Sequence, residues 1–270
     1  MRPVEIIEGG SPLILGQPHG GTFVPDEIMA SFNDAGRGLA DTDWHITKLY
    51  DGLAADATIV KATFSRYVID ANRDPSGVSL YPGQNTTGLC PTTDFDGKPI
   101  YLPGHEPGEK EIAARRDAYH APYHAALAAQ IERVKARHGI ALLYDCHSIR
   151  SDIPFLFDGT LPAFNIGDNE GRTCDPAITA DAATICAAAD GYDHVVNGRF
   201  KGGWTTRHYG RPQEGMHAIQ MELAQRTYMH EAPPWAYAQE RAARLRPHLA
   251  KLLAALEQQI SNLKKRRTDA

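Results

Sequence analysis

Ile140-Ala141-Leu142-Leu143-Tyr144-Asp145-Cys146-His147-Ser148 opens with five buried-strand residues and closes on a polar tetrad, and its setting decides the fold. The run before it, 109–138, is rich in Ala, Arg, Glu and Gln with helical periodicity, so a long helix feeds a short apolar strand. The alternation recurs outward. Leu13-Ile14-Leu15-Gly16-Gln17 is apolar and stops at the turn-forming Pro18-His19-Gly20-Gly21. Asp41-Thr42-Asp43 offers N-cap side chains to a helix predicted over 43–55, with Trp44, Ile46, Leu49, Leu53 and Ala54 on one face. Strands are predicted near 58–62 and 64–70. The Gly/Pro/Thr-rich passage 72–104 is too long to be mere connection and reads as a loop covering a site. Beyond Ser148 the pattern predicts a strand at 154–157, a helix at 176–189, a loop at 197–213 and a strand at 216–222. A final helix follows over 234–263, with Pro247 a kink or break because proline lacks the backbone donor. Helices alternating with short apolar strands mean an α/β layered fold. With no repeat or linker, residues 1–263 read as a single domain and the basic 264–270 as a disordered tail.

Composition limits the function classes. A length of 270 residues with 42% hydrophobic side chains supports one sizeable core. The formal charge of -5 argues against general attraction to nucleic acid or an anionic membrane, leaving Lys264-Lys265-Arg266-Arg267 as a solvated end. Apolar runs never approach the roughly 18 residues of a membrane span. Residues 1–10 carry Glu5 and Glu8 and lack the pattern of a secretion signal, which places the chain in the cytoplasm. The four cysteines, at 90, 146, 174 and 186, show no CxxC pair and read as reduced, packed thiols.

Chemistry concentrates just beyond the carboxyl ends of strands, where such folds place their sites. His19 serves either as a zinc ligand held by rigid structure or as a turn histidine bonded to the chain. Asp145 and His147, two apart in an extended chain, face the same side. Asp145 then orients His147, supports a backbone turn, or makes a buried ion pair with it. A three-ligand catalytic site also needs a carboxylate, for which Asp43 is the candidate; its alternative is capping the helix it begins, and His45 is a weaker ligand. Arg73, in Asp70-Ala71-Asn72-Arg73-Asp74-Pro75, offers a planar fork for a carboxylate and hence an anionic substrate, or else a salt bridge to Asp70 or Asp74. The loop Gly202-Gly203-Trp204-Thr205-Thr206-Arg207-His208-Tyr209-Gly210 packs donors and a cation into nine residues, either as a binding loop, where such chemistry concentrates, or as a tight structural loop with a packed Trp. In Met216-His217-Ala218-Ile219-Gln220-Met221-Glu222-Leu223, Gln220 and Glu222 share one strand face. Glu222 is a candidate proton acceptor, with a solvent-facing edge position as the alternative.

Taken together, PHGGTFVP at 18–25, DTDWH at 41–45, DANRDP at 70–75, DCHS at 145–148, GGWTTRHYG at 202–210 and AIQMEL at 218–223 resemble the N-formylglutamate amidohydrolases. The similarity spans nearly the whole chain. It implies kinship in fold with zinc carboxypeptidases, aspartoacylase and succinylglutamate desuccinylase, hence a three-layer α/β/α domain with a mixed, mostly parallel central sheet. By resemblance, His19 and His147 are metal ligands, Glu222 the catalytic glutamate and Asn72-Arg73 the pair that binds substrate carboxylate. The related peptidases carry a His-x-x-Glu metal motif, whereas Thr22 stands three after His19, so the carboxylate ligand comes from elsewhere and Asp43 is the choice. The expected activity is hydrolysis of N-formyl-L-glutamate to L-glutamate and formate, within histidine degradation, with a divalent ion such as zinc. Arg207 is expected to stabilise the oxyanion or to help clamp a carboxylate. The rival readings are a metallo-deacylase or carboxypeptidase for another N-acyl amino acid, and a non-catalytic binder of acidic metabolites.

Overall fold

The computed structural model describes residues 1–79, 83 and 85–268, the last three as backbone. Seven strands, β1 (Val4–Ile7), β2 (Leu13–Gln17), β3 (Thr58–Ala62), β4 (Ala141–Ile149), β5 (Phe164–Gly167), β6 (His194–Val196) and β7 (Met216–Ala224), form one sheet in the order β1-β3-β2-β4-β7-β5-β6. The pairs from β3 through β2 and β4 to β7 are parallel, as is β5 with β6; β1 and β5 run antiparallel to β3 and β7. The sheet is therefore mixed and mostly parallel. Helices α1 (Asp26–Ser31), α2 (Asp34–Arg37) and α3 (Ile46–Tyr50) precede β3. Helix α4 (Glu109–Arg115) joins α5 (Ala121–His138) through a π-helical turn at Arg116–His120. Then come α6 (Pro176–Ala187), α7 (Trp204–Tyr209) and α8 (Gln239–Thr268).

Burial follows strand alternation. All nine residues of β4 are buried, as expected of a central parallel strand covered on both faces. Leu142, Tyr144 and Cys146 pack with Ile178 of α6 and with Leu245, Leu249 and Leu252 of α8. Ala141 and Leu143 pack on the other side with Tyr123, Leu127, Ile131 and Val134 of α5. The result is three layers, helix over sheet over helix. Period two then places Asp145 and His147 on the α5 side, at the carboxyl end of β4.

Several local expectations differ. No strand forms at 64–70: Phe64 makes a single bridge to Phe23, and Val68 N–H closes a turn on the Ser65 carbonyl. Residues 154–157 also form a turn, because Ile153 and Leu161 bury against Phe95 and Ile149 in a satellite cluster instead of entering the sheet. Strands β5 and β6 are too short to show a periodic signal. Helix α3 is only five residues long and begins after His45, whose φ of 62° interrupts the helix predicted from Asp43. Helix α8 passes through Pro247 unbroken and continues to Thr268, so 264–268 are helical; 269–270 of the expected tail lie outside the described residues. No described helix is long and apolar enough to cross a membrane.

Candidate active site

Three side chains from distant parts of the chain converge where β2 and β4 end. His19 follows β2 by two residues, Asp43 lies in the loop before α3, and His147 is in β4. Asp43 N–H bonds the His19 carbonyl at 3.1 Å, so the two loops are tied together. His19 Nδ1 and His147 Nδ1 are 3.2 Å apart. Asp43 Oδ2 lies 3.8 Å from the first and 3.5 Å from the second. Ligands about 2.0–2.1 Å from a tetrahedral ion stand about 3.3 Å from one another, so the triangle has the dimensions of a metal site. Among the described residues, this is the group whose ligand atoms could share an ion.

The far side of each imidazole explains why the Nδ1 atoms face inward. His19 Nε2 donates to Asp70 Oδ1 at 2.7 Å, and His147 Nε2 to Asp145 Oδ2 at 2.9 Å. A carboxylate only accepts, so each Nε2 carries its proton and each Nδ1 turns a lone pair to the common point. Two facing lone pairs are stable only with a proton or a cation between them. Asp43 turns Oδ2 to the two histidines, while Oδ1, buried without a hydrogen-bond partner, faces the Arg66 guanidinium at 3.8 Å. Gly16, paired with Asp145 in the sheet, makes room: a Cβ there would stand 3.1 Å from Asp145 Oδ1.

The electrostatics divide the pair. Burial lowers His19, helped by the Arg66 guanidinium, below the ordinary histidine value. Burial also opposes charge on His147, but Asp145 and then Asp43 outweigh it and hold this imidazole well above that value. Asp70 is buried too, yet the Arg66 and Arg73 guanidiniums keep its carboxyl well below the carboxylate range. The expected capping role of Asp43 does not occur, since its side chain points to the histidines and to Ser148 N–H at 3.2 Å. His45, the weaker alternative, bonds the Trp235 carbonyl at 2.7 Å.

A cleft of about 640 Å³, counting its open mouth, lies against this group and is lined by His19, His147, Gln220, Glu222 and three arginines, Arg66, Arg73 and Arg199. Glu222 is opposite His147 in the β4–β7 register and is buried, so it is not a solvent-facing edge residue. Burial pushes its carboxyl up to about 8, against the opposing pull of His147. Gln220 Nε2 donates to Glu222 Oε2 at 3.0 Å, while Gly203 N–H donates to Gln220 Oε1 at 2.7 Å. The glycine-rich loop and the glutamate are therefore one unit. Asn72 accepts Thr205 N–H at 2.8 Å and turns its Nδ2 to within 3.2 Å of His147 Nε2. Gly203 permits this approach, since a Cβ there would lie 2.3 Å from Asn72 Nδ2.

Arg73 lies 3.6 Å from Asp70 Oδ2, so the salt bridge expected as an alternative is present. Its Nε and Nη2 meanwhile donate to the Thr87 carbonyl and hydroxyl at 3.0 and 3.1 Å. Asn85, Thr86, Thr87 and Phe95 line the cleft, which is the covering role read for 72–104; residues 80–82 and 84 of that passage lie outside the described residues. Arg207 Nε donates to the Gly202 carbonyl at 2.9 Å, and Arg207 is not among the described residues that line the cleft.

Sequence reasoning passed over Arg66, Arg199, His120 and His124. Arg66 sits behind Asp70 at 2.7 Å, four residues away. His120 and His124 donate from Nε2 to the carbonyls of Arg73 (3.0 Å) and Ala71 (2.8 Å), bracketing Asn72 from outside. The π-helical turn beside them was a place to look, since such turns cluster at functional sites.

The N-formylglutamate amidohydrolase family model matches residues 11–229, which takes in every residue of this site. The chain belongs to that family. Two relatives bear the name N-formylglutamate deformylase. The one from Pseudomonas aeruginosa is 47% identical over 249 residues, covering 92% of this chain and 93% of its own. The one from Pseudomonas putida is 45% identical over 251 residues, with the same coverage. The crystal structure of an N-formylglutamate amidohydrolase from Ralstonia eutropha JMP134 superposes with a TM-score of 0.80 at 27% identity, over 98% of this chain and 99% of that one. An Agrobacterium tumefaciens gene product shares the fold at a TM-score of 0.74 and 18% identity, over 96% of each chain. The amidohydrolase fold expected from the sequence is therefore the fold observed.

Proposed function

We propose that this amidohydrolase cleaves N-formyl-L-glutamate to L-glutamate and formate, with a divalent ion, zinc by its two-nitrogen, one-carboxylate donor set, held by His19, His147 and Asp43. The observation that carries the reading is the convergence of those three side chains beside the buried Glu222, in a cleft lined by arginines. When bound, the ion supplies Lewis acidity, polarising an amide oxygen and making a water molecule acidic enough to ionise near neutral pH.

The chain's own residues supply the rest. Arg73, steadied by Thr87 and by the His120 bond to its carbonyl, clamps a substrate carboxylate, and Asn72 completes the seat. Glu222 takes a proton from water as its oxygen adds to the formyl carbon. The C–N bond then breaks and Glu222 returns the proton to the departing nitrogen. Burial, which raises the Glu222 carboxyl above the ordinary glutamate range, favours its holding the proton between the two steps. Arg66, lining the cleft with His19, faces the negative charge that develops on the formyl oxygen, the role first expected of Arg207. We place this reaction in histidine degradation, as the family resemblance implies.

Release of glutamate from N-formyl, N-acetyl and N-succinyl glutamate by zinc-loaded protein, with formate, acetate or succinate as the co-product, tests the reading. The formyl compound is expected to exceed the others in kcat/KM by at least tenfold. No turnover of the formyl compound, or a preference for a larger acyl group, refutes the substrate assignment.

A further inference from the structure

We propose that His124 is a positioning residue for the substrate seat, tying the backbone of Asn72-Arg73 to the helix that holds the Asn72 side chain. This rests on the reading above, in which Asn72 and Arg73 seat a substrate carboxylate. His124 is buried and is not among the described residues that line the cleft, so it acts through the groups it holds.

The peptide groups of the seat are pinned one by one. Asn72 N–H donates to Asp70 Oδ1 at 2.8 Å, and Arg73 N–H to the Asp70 carbonyl at 3.2 Å. The Asn72 carbonyl accepts from Arg73 Nη1 at 3.1 Å. The carbonyls before and after it, of Ala71 and Arg73, accept from His124 Nε2 at 2.8 Å and His120 Nε2 at 3.0 Å. His120 closes the π-helical turn and His124 stands four residues on in α5, so the two rings share a helix face with their centres 4.4 Å apart.

A neutral histidine that gives its Nε2 proton to a carbonyl keeps a lone pair on Nδ1. Burial pushes the His124 imidazole down to about 3, so it stays neutral at working pH. The Tyr209 hydroxyl stands 3.1 Å from that Nδ1 and 3.3 Å from the His124 carbonyl, so both acceptors for its proton belong to one residue. Tyr209 ends α7, and near the start of the same helix Thr205 N–H holds Asn72 Oδ1 at 2.8 Å. A closed ring results, running from the Asn72 side chain through α7, Tyr209, His124 and the Ala71 carbonyl back to the Asn72 backbone. Trp204 packs T-shaped on His124, ring centres 4.7 Å apart, and stacks on His208 at 4.2 Å. Without the imidazole, the fully buried Ala71 loses the donor to its carbonyl, and the peptide is free to turn and carry the Arg73 fork with it. A clamp on a carboxylate that does not react acts alike before and during the reaction, so its misalignment appears in KM and not in kcat.

The test is steady-state formate release from N-formyl-L-glutamate by zinc-loaded wild type, His124→Leu, His124→Gln and Tyr209→Phe. His124→Leu fills the site without a donor and is expected to raise KM about tenfold, the worth of a buried hydrogen bond, with kcat within about threefold of wild type. His124→Gln carries an amide N–H₂ in place of the Nε2 donor and is expected to bring KM back to within about threefold of wild type. Tyr209→Phe cuts only the link to α7 and is expected to raise KM about threefold or more; it stands in if His124→Leu fails to fold. A purely structural role lowers the active fraction instead, so that kcat falls at constant KM. That pattern, a wild-type KM in folded His124→Leu or in Tyr209→Phe, or a glutamine variant no better than leucine, overturns the proposal. A wild type that releases no formate refutes the underlying function, a result that does not resemble any of these.

Discussion

Asp70→Asn replaces one carboxylate oxygen by an amide N–H₂ and is expected to damage both the fold and the metal site. Asp70 has no solvent exposure, accepts three hydrogen bonds and faces a second guanidinium. Oδ1 accepts from His19 Nε2 at 2.7 Å and Asn72 N–H at 2.8 Å; Oδ2 accepts from Arg66 Nη2 at 2.7 Å, with Arg73 at 3.6 Å. Asparagine has one oxygen and one N–H₂, so it satisfies one side only. With its oxygen toward His19, the N–H₂ confronts Arg66, and a charged hydrogen bond worth about 1.5–3 kcal/mol is lost. The Arg66 cation is also left short of a partner, and breaking a buried pair from one side costs about 3–5 kcal/mol. With the asparagine reversed, the N–H₂ confronts His19 Nε2–H and drives that proton to Nδ1, where the ion would bind. We therefore expect about 3 kcal/mol less stability and a zinc affinity about 10- to 100-fold weaker. Urea unfolding followed by fluorescence of Trp44, Trp204 and Trp235, with a zinc titration against a competing chelator, reads both quantities. Asp145→Asn touches His147 alone among these groups, so it is expected to weaken zinc with a much smaller loss of stability. Asp70→Asn with stability within about 0.5 kcal/mol of wild type and zinc binding within threefold refutes the reasoning.

Glu222→Gln is expected to keep fold and metal while kcat falls about 10²–10⁴-fold, by steady-state formate release; retained turnover removes Glu222 from the chemistry. Gly203→Ala places a methyl 2.3 Å from Asn72 Nδ2 and is expected to raise KM about tenfold or more, measurable in the same assay. His124, 9% exposed and pushed by burial down to about 3, stays neutral in the fold while an unfolded histidine titrates at 6.5. Its contribution is thus present above pH 6.5 and lost as the pH falls toward 3, by about 1.4 kcal/mol at pH 5.5 and about 2.7 at pH 4.5. Denaturant unfolding across that range is expected to show a steeper acid loss in wild type than in His124→Gln, and parallel curves would contradict it.

The sequence was most legible where one physical demand dominated. Ile140 to Tyr144 is apolar because β4 is covered on both faces, and Asp145 and His147 were placed correctly because strand alternation leaves no other choice. The apolar residues at 64–70 and 154–157 misled for the converse reason: Phe64, Ile153 and Leu161 bury in turns and a satellite cluster, and periodicity alone does not separate that from a strand. Asp43 was recognisable as a carboxylate near a helix start, but nothing local showed that His45 takes a left-handed conformation and frees it from capping. Asp70 was harder still. It orients His19 from 51 residues away along the chain, a separation no spacing rule encodes.

The most direct measurement counts metal ions per chain, after zinc loading and removal of excess, in wild type, His19→Ala and His147→Ala, alongside formate release from N-formyl-L-glutamate. One ion per wild-type chain, lost together with activity in both variants, is the predicted result. Full metal content or undiminished formate release in either variant would show that these imidazoles do not share a catalytic ion.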